Sequence, residues 1–162
     1  VSIDVGVAVD GALGDCAVTV PVGEISREAK HLLEGTKNAL FAGIAAARSH
    51  CPVRNVSAAV EAVGRRYNLG IVRDYVGHGC GIELHEPPEV PNYTGWGSGP
   101  ALMPGMVICI EPMFNLGGHA VKVDRRDNWT VRTRDGSLSA HFEHMVLITE
   151  KEAEILTWQK TM

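Results

Sequence analysis

The chain has 162 residues and a mass of 17.4 kDa, which suits one domain able to bury its own core. Hydrophobic residues make up 45% and charged residues 21%, values that exclude a disordered, collagen-like or coiled-coil protein. Fifteen Lys and Arg against nineteen Asp and Glu give a net charge of −4, with the basic residues scattered, which argues against a nucleic-acid surface.

No apolar run reaches the roughly 18 residues of a membrane span, and no basic stretch leading into a hydrophobic one opens the chain. Cys16, Cys51, Cys80 and Cys109 are far apart and form no CxxC pair. That is neither a disulfide framework nor a zinc knuckle, and a reducing, cytoplasmic setting is expected. The chain begins Val1-Ser2-Ile3-Asp4, already in a strand-like pattern and without an initiator Met, and reads as a piece of a longer protein.

In chain order, residues 1–20 alternate around Asp10-Gly11, a strong hairpin signal. Residues 26–49 read as a helix, with Ser26 as N-cap and Leu32, Leu33, Leu40 and Ile44 at helical spacing before Pro52. A second helix is expected over 55–68, capped by Asn55, with Val56, Ala59, Val60 and Val63 on one face and Gly70 as the C-terminal break. Strands are expected at 71–76, 106–114, 129–133 and 141–149, and the Gly/Pro-rich segment 87–105 as a long loop. This order predicts an α+β fold, a curved and mainly antiparallel sheet with two helices on one face.

Carboxylates stand out against that pattern. A two-residue turn at Asp10-Gly11 sets Gly6 opposite Asp15 and Asp4 opposite Ala17, so Asp4 and Asp15 become diagonal neighbours on one face, about 7–8 Å apart. Their neighbours on that face are mostly Gly and Ala. The bland alternative is a solvated hairpin face, but such a face ordinarily carries Lys, Thr or Glu. Glu111 in MVICIEPMF and Glu143 in AHFEHMVLIT are embedded in runs that read as buried strand. A buried carboxylate demands a partner, either an Arg from elsewhere or a cation. His78 sits among glycines in YVGHGCG, a setting that also fits a purely structural turn.

Taken together, four carboxylates and one imidazole are an oxygen-rich set suited to Mn, Fe or Co. Four negative charges also balance two divalent cations with space for a bridging hydroxide. His31, His50, His119, His141 and His144 have no partner readable from sequence, and Cys80 and Cys109 read as small buried thiols.

The segments IDVGVAVDGALGD, GHGCGIELHEPPEVPNY, PGMVICIEPM and NWTVRTRDGSLSAHFEHMVLIT resemble, in order and spacing, the C-terminal half of bacterial-type methionine aminopeptidases. The resemblance implies a half, or truncated, pita-bread fold, with residues 1–162 as one metallopeptidase catalytic domain. It implies two divalent metal ions (Mn, Fe, Co or Zn) held by Asp4, Asp15, His78, Glu111 and Glu143, with Asp15 and Glu143 bridging. By the same likeness His85 contacts substrate and the tetrahedral intermediate, Glu111 shuttles protons, and Trp129 lines the methionine side-chain pocket. The implied reaction is removal of the N-terminal methionine from nascent proteins and peptides by a metal-bridged hydroxide.

The implied partners are peptide or nascent-protein N-termini, met at the ribosome, with no nucleic acid and no membrane. An oligomer, or the family's absent N-terminal half, would complete the fold. Two departures accompany the resemblance. Leu84 stands where the bacterial enzymes usually carry Phe, and the N-terminal half, source of another substrate-contacting histidine, is missing. The alternatives are a proline-directed peptidase of the same fold and an inactive relative that binds peptide or the ribosome.

Overall fold

A computed structural model of the chain describes residues 1–95 and 97–158. Two strands come first, β1 (Ser2–Val9) and β2 (Ala12–Thr19), followed by the helices α1 (Arg27–Ala46) and α2 (Arg54–Arg66). Short strands make up the rest: β3 (Gly70–Ile71), β4 (Gly77–Gly79), β5 (Glu86–Val90), β6 (Val107–Ile110), β7 (Met113–Asn115), β8 (Val121–Val123), β9 (Val131–Thr133), β10 (Ser139–His141), β11 (Glu143–Leu147) and β12 (Glu154–Ile155). The α+β expectation holds. Among the described residues the main sheet runs β1-β2-β11-β6-β4-β5, with β12 added on β11, and every pairing in it is antiparallel. No helix among them is long and apolar enough to cross a membrane.

The hairpin has the expected register. Asp10 and Gly11 take positive φ angles of 50° and 83°, as a tight primed turn requires, and set Gly6 opposite Asp15 and Asp4 opposite Ala17. Helix α1 starts where Ser26 places it, the side chain accepting the Ala29 amide at 3.1 Å.

Other boundaries differ from the sequence-based expectation. Asn55 does not cap α2: the N-cap position is Val53, and Asn55 lies inside the first turn. The break after α2 is made by Asn68 at φ 52° rather than by Gly70, which already belongs to β3. Of the strand expected over 71–76 only Ile71, the end of β3, is strand: residues 72–76 connect it to β4, and the expected loop 87–105 begins as strand β5.

Strand parity divides the main sheet into two faces. Ile108 pairs with Val146, and Ile110 with His144. The isoleucines and Val146 pack on Leu40, Val56 and Val60 of the helices, all almost wholly buried. Each such side chain contributes on the order of 1.5–3 kcal/mol by leaving water. On the other face, Met145 pairs with Cys109, and Glu143 with Ala17, two residues along β2 from Asp15. The helices therefore fix one side of the sheet and leave the carboxylates on the other.

Candidate metal centre

Two chain segments change sheets at the same place. β6 of the main sheet ends at Ile110 and the chain resumes as β7 in a three-stranded sheet; β10 of that smaller sheet ends at His141 and the chain resumes as β11 in the main one. Glu111 lies in the first crossing and Glu143 opens the strand after the second, with the Phe142 amide donating to the Pro112 carbonyl between them at 3.3 Å. Glu111 is therefore held at a corner between strands, not within one continuous strand over 106–114.

His78 is placed by β4 rather than by a turn. A Cβ on Gly77 would run into the Cys109 carbonyl oxygen, and one on Gly79 into the Pro87 carbonyl oxygen. Only glycine lets β5 and β6 approach on either side of this histidine. Its Nδ1 lies 3.0 Å from the Gly79 carbonyl, which can only accept, so Nδ1 carries the proton. In the neutral ring Nε2 then bears a lone pair, yet it faces Asp15 Oδ2 at 3.7 Å and Glu111 Oε1 at 3.4 Å. A second proton or a cation relieves that opposition. Fixing one imidazole nitrogen on a backbone carbonyl is how metal-binding histidines are commonly oriented.

One ligand atom each from Asp15, His78, Cys109 and Glu143 lies within 4.8 Å of the others, and all four residues are buried. Glu143 is 3% exposed and its Oε1 has no hydrogen-bond partner. Burial, with Glu111 and Asp15 adding to it, pushes the Glu143 carboxyl up to about 9. Burial also raises Asp15, opposed by His78 and reinforced by Asp4 and Glu111. Carboxylates gathered this tightly resist ionisation until a positive charge joins them. An orphaned buried oxygen, an unprotonated imidazole nitrogen and several carboxylates fit a divalent cation well.

Of the five expected ligands, the structure brings Asp15, His78 and Glu143 into one cluster, with Glu111 at its edge. Asp4 is on the same face, but its side chain is 58% exposed, and its recorded neighbour is His141, whose Nδ1 lies 3.9 Å from Oδ2. His85 is exposed beside the cluster, its ring centroid 4.2 Å from that of His78. Leu84 is half-buried against Cys80, Cys109 and Met145, together with Leu13 and Val107, and forms an apolar wall next to the carboxylates. Trp129 stands on the connection between β8 and β9 and is 86% exposed.

Two residues of the site escaped the sequence reading. His141 has Nε2 3.5 Å from Glu111 Oε2, buried and without a hydrogen-bond partner. Cys109 is fully buried within the cluster, its Sγ within 4.8 Å of a Glu143 carboxylate oxygen. Both sit two positions from a suspected ligand, His141 from Glu143 and Cys109 from Glu111, so the period of a strand was the available signal. The remaining histidines lie elsewhere; His144, for instance, meets Thr157 Oγ1 at 2.9 Å.

The sequence profile described as Metallopeptidase family M24 matches residues 1–150. Methionine aminopeptidase 1 of Bacillus subtilis is 46% identical over 157 residues, covering 97% of this chain and 63% of that protein. The crystal structure of methionine aminopeptidase from Rickettsia prowazekii superposes with a TM-score of 0.93 at 38% identity, covering 97% of this chain and 63% of that one. Prolidase from Pyrococcus furiosus gives a TM-score of 0.75 at 25% identity, covering 99% of this chain and 41% of that one. The chain thus spans somewhat over three fifths of the length of the methionine aminopeptidases it matches, and has the pita-bread type of fold.

Proposed function

The chain belongs to metallopeptidase family M24, and on that premise we propose that its residues form the catalytic domain of a dinuclear methionine aminopeptidase. The observation that carries this reading is the buried cluster of Asp15, His78 and Glu143, in which one carboxylate oxygen of Glu143 has no hydrogen-bond partner. Two divalent cations would be held by Asp4, Asp15, His78, Glu111 and Glu143. Bound divalent cations supply Lewis acidity toward an amide carbonyl and lower the pKa of water.

The chain's own groups do the rest. Glu111, between His78 and His141, accepts a proton at one carboxylate oxygen and returns it to the departing amine. His85, exposed beside His78, donates a hydrogen bond to the carbonyl oxygen as negative charge builds on it. Leu84, Met145 and Leu13 offer an unbranched thioether side chain an apolar wall. Leucine in place of an aromatic residue leaves that wall less bulky, so preference among similar side chains is expected to relax by about tenfold.

The substrates would be peptides and nascent chains with a free N-terminal methionine, in the cytoplasm. The test is methionine release from Met-Ala-Ser by the purified chain with Mn(II). Turnover that falls more than about 100-fold in Glu143→Ala, beyond the loss typical of outer-shell partners, is the expected result. Equal turnover in the variant, or no turnover with Mn(II) demonstrably bound, overturns the catalytic reading in favour of a peptide-binding role. Faster cleavage of a Met-Pro dipeptide would move the chain to the proline-directed branch.

A further inference from the structure

We propose that Cys109 supplies a thiolate ligand to the cation held by Asp15, His78 and Glu143, making this a mixed sulfur, nitrogen and oxygen centre. The inference rests on the metal-centre reading above and goes beyond the carboxylate and imidazole set that the family resemblance implies.

The geometry is close to closure. Bonds of about 2.3 Å to sulfur and about 2.0–2.2 Å to nitrogen or oxygen set neighbouring ligand atoms of a tetrahedral zinc ion about 3.5 Å apart. The four donor atoms already lie within 4.8 Å of one another. Side-chain rotation that draws the donors together by up to about 1 Å completes the shell.

Cys109 cannot readily turn away. Its residue has no exposed surface, and β6 holds it opposite Met145 of β11, two residues from Glu143 on the same face. The second observation is Glu143 itself, 3% exposed with Oε1 unpartnered. The buried sulfur lies within 4.8 Å of a Glu143 carboxylate oxygen, and the carboxylate has an oxygen with nothing to bind, so the pair presents an incomplete coordination shell. Cys80, buried in the same apolar cluster, is not among the four mutually close donors.

The exchange balances simply. The S–H bond breaks, the sulfur keeps the electron pair and donates it to the cation, and the proton leaves to bulk water. Sulfur is a soft donor, so the centre should favour Zn(II) and Co(II) over Mn(II) more strongly than an all-oxygen-and-nitrogen site does.

The experiment loads the whole 162-residue chain with Co(II) alone and, separately, with Zn(II) alone, under a phosphine reductant. Expected are a near-ultraviolet thiolate-to-cobalt charge-transfer band, lost in Cys109→Ser and kept in Cys80→Ala, and a sulfur shell at about 2.3 Å in the zinc X-ray absorption spectrum. Bound metal with only light scatterers at about 2.0–2.2 Å overturns the inference and leaves the metallopeptidase reading intact. A band that survives Cys109→Ser but vanishes in Cys80→Ala also overturns it. Failure to retain either metal after dialysis removes the metal centre itself. If Cys109→Ser does not fold, the zinc spectrum of the unaltered chain decides.

Discussion

The edge hairpin and the inner strands of the main sheet place carboxylates on the same face under very different constraints. Asp15 on β2 and Asp4 on β1 share a face, yet one is 6% exposed and the other's side chain is 58% exposed. β2 is paired on both sides, whereas among the described residues β1 pairs with β2 alone, and all eight of its residues are exposed. The apolar set Ile3, Val5 and Val7 on β1 faces away from Asp4 and is uncovered, while Ile108 and Ile110 on β6 carry the same kind of side chain into the helix-packed core. Identical chemistry is thus fixed in one strand and loosely held in the other, and what separates them is the number of neighbours, not sequence pattern.

The largest test of this contrast is metal binding. Calorimetric titration with Mn(II) should lose its tighter event in Asp15→Asn, because that carboxylate sits inside the buried quartet. Asp4→Asn should weaken binding only about 10–100-fold, in the range of an outer-shell partner. Equal losses in the two variants would mean that the hairpin edge is as ordered in solution as the interior.

Stability should separate the same two regions. Ile108→Ala opens a cavity under the helices and is expected to cost about 2–5 kcal/mol in urea unfolding. Ile3→Ala on the bare strand should stay within about 0.5 kcal/mol. A comparable cost at Ile3 would show that something covers β1 in solution.

The smallest effect is in pH dependence. Without metal, the folded chain holds the Glu143 carboxyl near 9 against 4.5 for an ordinary glutamate, so the folded state binds its proton more tightly. That stabilisation is fully present below the ordinary value and is lost as pH rises toward the folded one. Asp15, raised by burial, adds to the slope. The melting temperature of metal-free protein should therefore fall between about pH 5 and pH 9, and a bound divalent cation should flatten the profile. A flat profile without metal would mean that Glu143 finds a counter-charge that the structure does not show.

Local signals read from the sequence carried a good part of this arrangement. Asp10-Gly11 fixed the hairpin register and so the shared face of Asp4 and Asp15, and Ser26 marked the start of α1, because a turn and a cap are decided by a few adjacent residues. Asn55 was a plausible cap by residue type, but the approach of the chain along Pro52-Val53 places α2's first turn earlier. β4 and β5 were illegible because their composition, Gly-His-Gly and Glu-Pro-Pro-Glu-Val, is that of a loop; they are strands only through long-range pairing. The sheet-crossing corners at Glu111 and Phe142 have no local signature either. Cys109 reads by residue type as a small buried thiol, which its burial bears out, and His141 as a histidine without a partner, because neither is a carboxylate that burial would force to find a cation.

The joining of β2 to β10 and β11 also sets the order in which the molecule can be built. Thr19 Oγ1 both donates to the His141 carbonyl at 2.8 Å and accepts from its amide at 2.9 Å, across 122 positions of sequence. As the chain is synthesised, the aspartates of the hairpin emerge first and must wait until residues beyond 140 are available before a glutamate can face them. Closing so long a loop carries an entropic cost, and topologies dominated by such distant contacts fold slowly. Local pieces, the hairpin and the α1–α2 pair, can assemble early, but the cation pocket cannot exist in any of them. Capture of a cation there would accordingly come late, and a bound ion would act as a latch on a topology already complete.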